Sequence, residues 1–141
     1  MPLKTIHGAA ERRIPAPVER CLRTAEAVEQ WPEWLSTIHS VAITDGTYVQ
    51  ARVLGIPLIF AVELDRQPLS LTVRRRPFGP DDPETFELAI ECVYEGDACQ
   101  ASATISASLD LPRLLPVPGA IADQVAGRLL SDLEKEVAAS P

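Results

Sequence analysis

RRIPAPVERCLRTAEAVEQWPEWL, residues 12–35, is the stretch whose reading decides the architecture. Upstream of it, Ile6, Ala10 and Ile14 share one parity, which predicts a strand ending before Pro15. Pro15-Ala16-Pro17 stops that strand, because proline has no N–H for the ladder and forces its predecessor into extended geometry. Pro17 is then suited to the first turn of a helix over about 17–28. Val18, Cys21, Leu22 and Ala25 give that helix an apolar stripe, with Glu19, Arg20 and Arg23 toward water. A second short helix follows over roughly 29–35, with Pro32 at its start.

Downstream the period changes from helical to two. Val41–Thr44 leads into Asp45-Gly46, a strong hairpin signal, and Tyr48–Leu54 follows. Leu58, Phe60, Val62 and Leu64 alternate with more polar neighbours. So do Leu69, Leu71 and Val73, after a turn at Gln67-Pro68. A Pro/Gly/Asp loop over 77–83 precedes Phe86, Leu88, Ile90, Cys92 and Tyr94 on one parity. Glu95-Gly96-Asp97 turns the chain into 98–109, where Ala101, Ala103, Ile105, Ala107 and Leu109 alternate with Gln, Ser and Thr. A Pro-broken connection, 109–119, leads to the longest helix, Gly119 to about Ala138. Its stripe is Ile121, Val125, Leu129, Leu133 and Val137, widened by Ala122, Ala126 and Leu130. Asp132, Glu134, Lys135 and Glu136 are read on its far side. The expected fold is α+β, in the order β-α-α-β6-α: a curved antiparallel sheet wrapped on one long C-terminal helix, with room for a hollow between them.

The bulk numbers agree with one domain over 1–141. Apolar residues make up 46% of the chain, which is a globular composition. The formal net charge of −7 disfavours a nucleic-acid partner, because an acidic surface repels phosphate backbones. The local run Arg74-Arg75-Arg76 reads as a solvated strand rim. No apolar run is long enough for a membrane span, and the first residues lack a signal-peptide core, so the expected location is cytoplasmic. Cys21, Cys92 and Cys99 show no CxxC spacing and read as buried thiols; Cys92 and Cys99 flank a hairpin turn and could be cross-strand neighbours.

IPAP (14–17), the helix stripe after it, WPEW (31–34), the hairpin strand set and LLSDLEKEV (129–137) together resemble the START-like helix-grip superfamily. Within it the likeness is to the polyketide cyclase/dehydrase and lipid-transport group that includes coenzyme-Q-binding proteins. The resemblance covers nearly the whole chain in element order. It implies a deep apolar cavity between the sheet and the long helix. Its occupant would be a hydrophobic small molecule: a lipid, a quinone or a polyketide-like compound. The alternative it implies is a cyclase, aromatase or dehydratase that orients a poly-β-keto chain with cavity-lining Arg and Tyr. The chain departs from the relatives' frequent Gly-aromatic pair in the sixth strand, where it has Phe86-Glu87-Leu88-Ala89.

No metal or cofactor signature is present. His7 and His39 stand alone, and no GxSxG, Walker-type or GxGxxG sequence occurs. Glu63 and Glu91 fall on the polar parity of their strands, and Asp81-Asp82 in a loop reads as solvated. The cavity-lining candidates are Trp34, Arg52, Phe60, Arg75, Phe86, Leu88, Val125, Leu129 and Leu133. Arg52 and Arg75, with Tyr48 and Tyr94, are the polar groups able to act on a carbonyl or enolate. No catalytic residue, cofactor or metal is assigned. Oligomeric state, homodimer included, is left open.

Overall fold

The structure, a computed structural model, describes residues 3–36, 38–43, 47–53, 56–77, 79–110 and 118–139. β1 (Lys4–Ile14) is followed by α1 (Val18–Glu26), a 3₁₀ turn (Val28–Gln30) and α2 (Trp31–Trp34). Six strands come next: β2 (Ile38–Ile43), β3 (Thr47–Val53), β4 (Ile56–Gln67), β5 (Ser70–Arg75), β6 (Thr85–Glu95) and β7 (Ala98–Leu109). The chain closes with α3 (Pro118–Ala139). This is the α+β order that the alternation and the two helical stripes predict. Asp45-Gly46 lies outside the described residues, but Ile43 pairs with Thr47, so β2 and β3 are adjacent antiparallel strands.

All seven strands form one sheet in the order β1-β7-β6-β5-β4-β3-β2, each pair antiparallel. β1 and β2 are therefore the two edges, and the α1–α2 segment must run from one edge to the other beneath the sheet. Two of the hairpins close with two residues: Pro68-Leu69 between paired Gln67 and Ser70, and Gly96-Asp97 between paired Glu95 and Ala98. Gly96 has φ +65, a left-handed conformation that a Cβ disfavours.

The inner face is set by the period-two pattern. Leu71 and Val73 of β5, Leu88, Ile90 and Cys92 of β6, and Ala101, Ala103, Ile105, Ala107 and Leu109 of β7 are all buried. α1 buries its expected stripe, Val18, Cys21, Leu22 and Ala25, and packs against β5, β6 and α3. Arg20 is half-buried, because its guanidinium donates to the Val137 carbonyl at 2.7 Å.

α3 lies closest to β1, and also near β7, α1 and α2, whereas among the described residues its backbone comes less near to β2 through β6. Small residues explain the close side. A Cβ on Gly8 would sit 2.4 Å from the Ala122 carbonyl carbon, so backbone rides on backbone there. Ala122 and Ala126 are buried along the same line of α3. The helix thus pivots on the β1 edge. Its buried line runs through Ala122, Ala126, Leu129, Leu130, Leu133 and Val137, while Ile121 and Val125 keep exposed surface. Asp132 departs from its expected place on the far side: it is 8% exposed, and accepts hydrogen bonds from the Ser36 backbone N–H at 3.1 Å and the Ser36 hydroxyl at 2.9 Å. That contact pins α3 to the turn after α2.

Candidate functional site

The space between α3 and β2–β6 is the candidate site. Its surroundings include apolar side chains that touch the core yet are only half-buried: Trp34 from α2, Ile38 and Val41 from β2, Phe86 from β6 and Val125 from α3. A packed core leaves few such residues in its middle, since buried apolar groups close on one another at crystal-like density. Half-buried apolar groups from four separate elements mark surface available to an apolar guest.

The candidates from the sequence fall into three groups. Leu88, Leu129 and Leu133 are buried, and Leu133 is fully so, which makes it core. Trp34, Phe86 and Val125 retain exposed surface against the core. The side chains of Arg52 and Phe60 lie outside the described residues, as do those of Tyr48 and His39; the register pairs Phe60 with Val49 and Arg52 with Pro57.

Arg75 is the group whose setting departs most from the strand-rim reading. Arg74 and Arg76 are exposed, and ion-pair with Glu87 at 3.1 Å and Glu63 at 3.3 Å. Arg75 shares the inner parity of Leu71 and Val73, and its side chain is only 3% exposed. It meets the Asp82 carboxylate at 2.7 Å and the Glu84 carboxylate at 3.7 Å, and donates to the Glu84 carbonyl at 2.9 Å. The expectation that Asp82 is solvated is therefore corrected: its side chain is 11% exposed, because a buried guanidinium needs a counter-charge. The signal was present in the acid-rich run Asp81-Asp82-Pro83-Glu84, which begins after four residues that follow the arginines. Glu84 also accepts from the Asp110 backbone N–H at 3.0 Å, tying the β5–β6 connection to the end of β7.

Tyr94 is 66% exposed, not on the covered face that its parity suggests, because it sits at the far end of β6 beside the Gly96 turn. Glu63 is exposed as expected, and so is Glu91.

A recess of about 420 Å³ lies at the end of the sheet where β1 and β6 start and β5 and β7 finish. Ile6, Phe86 and Ala107 contribute from the inner parity; His7, Ser106 and Glu87 from the outer. His7 Nδ1 and Ser106 Oγ are 3.1 Å apart. The Arg75–Asp82–Glu84 cluster forms one wall. Sequence reading had no route to this recess, since it depends on how the 77–84 connection folds back on the sheet.

At the opposite end, three thiols gather. Cys21 Sγ and Cys99 Sγ are 3.5 Å apart, and all three cysteines are free and buried. The cross-strand expectation for Cys92 and Cys99 shifts by two residues: Cys92 pairs with Ala101, and Tyr94 with Cys99. Burial, then the neighbouring Cys99, pushes the Cys92 thiol up to about 12, and burial raises Cys21 as well. These are protonated packing groups, not nucleophiles. Among the described residues no cluster of His, Cys, Asp or Glu is arranged to hold a metal ion, and no helix is long and apolar enough to cross a membrane.

No family model matches the chain, and no curated protein matches it by sequence. Solved structures do match. A protein of Thermus thermophilus is 24% identical with a TM-score of 0.75, over 96% of this chain and 99% of that one. A START superfamily protein from Mycobacterium smegmatis is 17% identical with a TM-score of 0.72, over 96% and 99%. The Zhui aromatase/cyclase of a Streptomyces species is 12% identical with a TM-score of 0.75, over 96% and 94%. The fold is the START-like helix-grip fold.

Proposed function

We propose that this chain binds a hydrophobic small molecule in the space between α3 and the β2–β6 part of the sheet. The observation that carries the reading is the set of apolar side chains left half-buried against the core, Trp34, Ile38, Val41, Phe86 and Val125, while α3 packs chiefly on β1. Burying apolar surface of a guest there is worth roughly 25 cal/mol per Å², and those five side chains present no polar group still to desolvate, the Trp34 indole N–H being already screened from water. The recess of about 420 Å³ at the end of the sheet shares Phe86 with that surface and is on the scale of small-molecule sites, roughly 300–1,000 Å³. Lipids, quinones and polyketide-like compounds fit this description, and carriage of such a molecule in the cytoplasm is the corresponding role.

The cyclase reading is the less favoured one. The aromatase/cyclase among the similar structures motivates it. Against it, Arg75 is committed to Asp82 and Glu84, and Tyr94 points to solvent. The test is native mass spectrometry with organic extraction of the protein as purified from cells, followed by titration with a fluorescent fatty acid and a quinone. A bound apolar molecule, or saturable one-to-one probe binding competed by unlabelled ligand, supports the proposal. Ligand-free protein that takes up neither probe refutes it.

A further inference from the structure

The recess at the end of the sheet draws most of its side chains from the face turned away from α3. Gly8 of β1 meets Ala122 of α3, so Thr5 and His7, of the opposite parity, face the other way. The register carries that outward side across four strands. One row runs Thr5, Ser108, Thr85 over β1, β7 and β6. The next runs His7, Ser106, Glu87, Arg74 over β1, β7, β6 and β5. Both rows line the recess. Ser108 is half-buried and the others are exposed, so a molecule arriving from solvent can reach them.

Two features distinguish the recess from open sheet surface. The first is its room. Thr5, Thr85, Ser106 and Ser108 are short where exposed strand positions often carry Lys, Glu or Arg, and longer side chains would fill the volume of about 420 Å³. The second is a fixed wall. Asp82 and Glu84, between β5 and β6, are held by the buried Arg75, which meets the Asp82 carboxylate at 2.7 Å and the Glu84 carbonyl at 2.9 Å. The Glu84 N–H donates to the Asp82 carboxylate at 3.2 Å, and the Glu84 carboxylate accepts from the Asp110 N–H at 3.0 Å. The second row of the floor is braced too: His7 Nδ1 and Ser106 Oγ are 3.1 Å apart, and Arg74 Nε donates to Glu87 at 3.1 Å. Groups fixed beforehand lower the ordering cost of binding.

The chemistry of the walls selects the ligand. Arg74 pairs with Glu87, and Arg75 with Asp82 and Glu84, which leaves one excess negative charge, His7 set aside. An anion would meet that excess on a chain whose net charge is already −7. An apolar guest would strip water from four hydroxyls and return nothing. Hydroxyls both donate and accept, and neighbouring strands set those of Thr5, Ser108 and Thr85 about 5 Å apart, comparable with the span of a pyranose ring. We propose that the recess is a second binding site, separate from the apolar space on the α3 side, for a neutral polyhydroxylated molecule: a sugar or a sugar-like polyol. The assignment does not rest on the apolar binding role.

The experiment titrates the full ¹⁵N-labelled chain with methyl glucoside and, in parallel, with methyl glucuronide, a matching ring that carries a carboxylate. The expected result is that the amide peaks of Thr5, His7, Thr85, Ser106 and Ser108 move together, with a Kd in the millimolar range that a ligand of about a dozen non-hydrogen atoms reaches. The glucuronide binds at least about 5-fold more weakly, because its charge faces the excess acid. Thr85→Val keeps the shape and removes one hydroxyl, and weakens glucoside binding about 5-fold, the worth of one neutral hydrogen bond. Thr72→Val, on the same face of the sheet outside the recess, leaves the Kd unchanged. Unmoved peaks at about 100 mM glucoside, far above that range, overturn the proposal. Glucuronide binding as tight as glucoside, or equal effects of the two valine variants, overturns it as well. So does displacement of a bound fluorescent fatty acid by the glucoside, which would make the two sites one.

Discussion

Replacing Gly8 with alanine should destabilise this protein, although the same change in an ordinary strand would stabilise it. Glycine in a strand interior is unfavourable by roughly 0.5–1 kcal/mol relative to alanine, so the intrinsic term favours the variant. The packing term opposes it. The added Cβ would lie 2.4 Å from both the carbonyl carbon and the Cβ of Ala122, and 2.5 Å from the Asp123 nitrogen. Carbon atoms rest at roughly 3.5–4.0 Å, so α3 must retreat from β1 by about 1 Å. Two of the three obstructing atoms are backbone, and no rotamer change relieves them. Overpacking of this kind costs roughly 1–3 kcal/mol, and the rigidity of the site places it at the upper end. The retreat also stretches the 2.8 Å hydrogen bond from the Ala9 N–H to the Asp123 carboxylate, worth about 1 kcal/mol more. The net expectation is a loss of about 3 kcal/mol, a large share of the roughly 5–15 kcal/mol that holds a domain folded. Urea unfolding of Gly8→Ala measures it as a lower midpoint at unchanged slope. Adding Ala122→Gly removes one of the three obstructions and should recover less than half. A Gly8→Ala protein as stable as the natural one would refute the close approach of α3 to β1.

Four further expectations follow from the buried polar groups and thiols. Arg75→Met strands the Asp82 carboxylate and should cost about 3 kcal/mol, with Asp82→Asn in the same chain restoring part of it; additive single-variant losses by denaturation would show that the 2.7 Å pair is not coupled. Asp132→Ala removes the acceptor of both Ser36 bonds and should cost about 2 kcal/mol, while Ser36→Ala costs less because the backbone N–H keeps its acceptor; equal losses in thermal melts would contradict this. The folded Cys92 thiol titrates near 12 against 9.0 for a free thiol, so in alkali the unfolded chain loses this proton first. Stability contributed by the protonated thiol is complete below pH 9 and should fall by about 1 kcal/mol per pH unit between 9 and 12. A Cys92→Ala protein with the same alkaline slope would discount Cys92 as its source. Ellman's reagent at neutral pH should find no reactive thiol until the protein unfolds, since all three are buried.

What was legible in the sequence was whatever depends on period. The 3.6-residue stripe of α1 and the two-residue alternation of β5, β6 and β7 each name their buried faces directly, and Val18, Leu22, Ile90 and Ala103 are buried where the pattern puts them. What was illegible depends on pairs of residues far apart in the chain that no periodic rule connects. Asp132 sits among charges on α3 and reads as solvent-facing, yet one backbone N–H and one hydroxyl ninety-six residues away hold it inside. The alternation turns Arg75 inward, as its place among the cavity-lining candidates expects, and turns Arg74 and Arg76 out; what no period shows is that a loop folds Asp82 onto it. Gly8 carries the same lesson for shape. A lone glycine in a strand is compatible with a bulge, a bend or a close approach. Only the small residue Ala122 opposite it selects the last, and it is small for the same reason. The fold is therefore specified twice, by periodic patterns that build the sheet and helices and by one small-on-small contact that seats α3 on β1. The proposed binding role depends on the second, because the seating of α3 on β1, and not the presence of a helix, sets how much of Trp34, Phe86 and Val125 is covered.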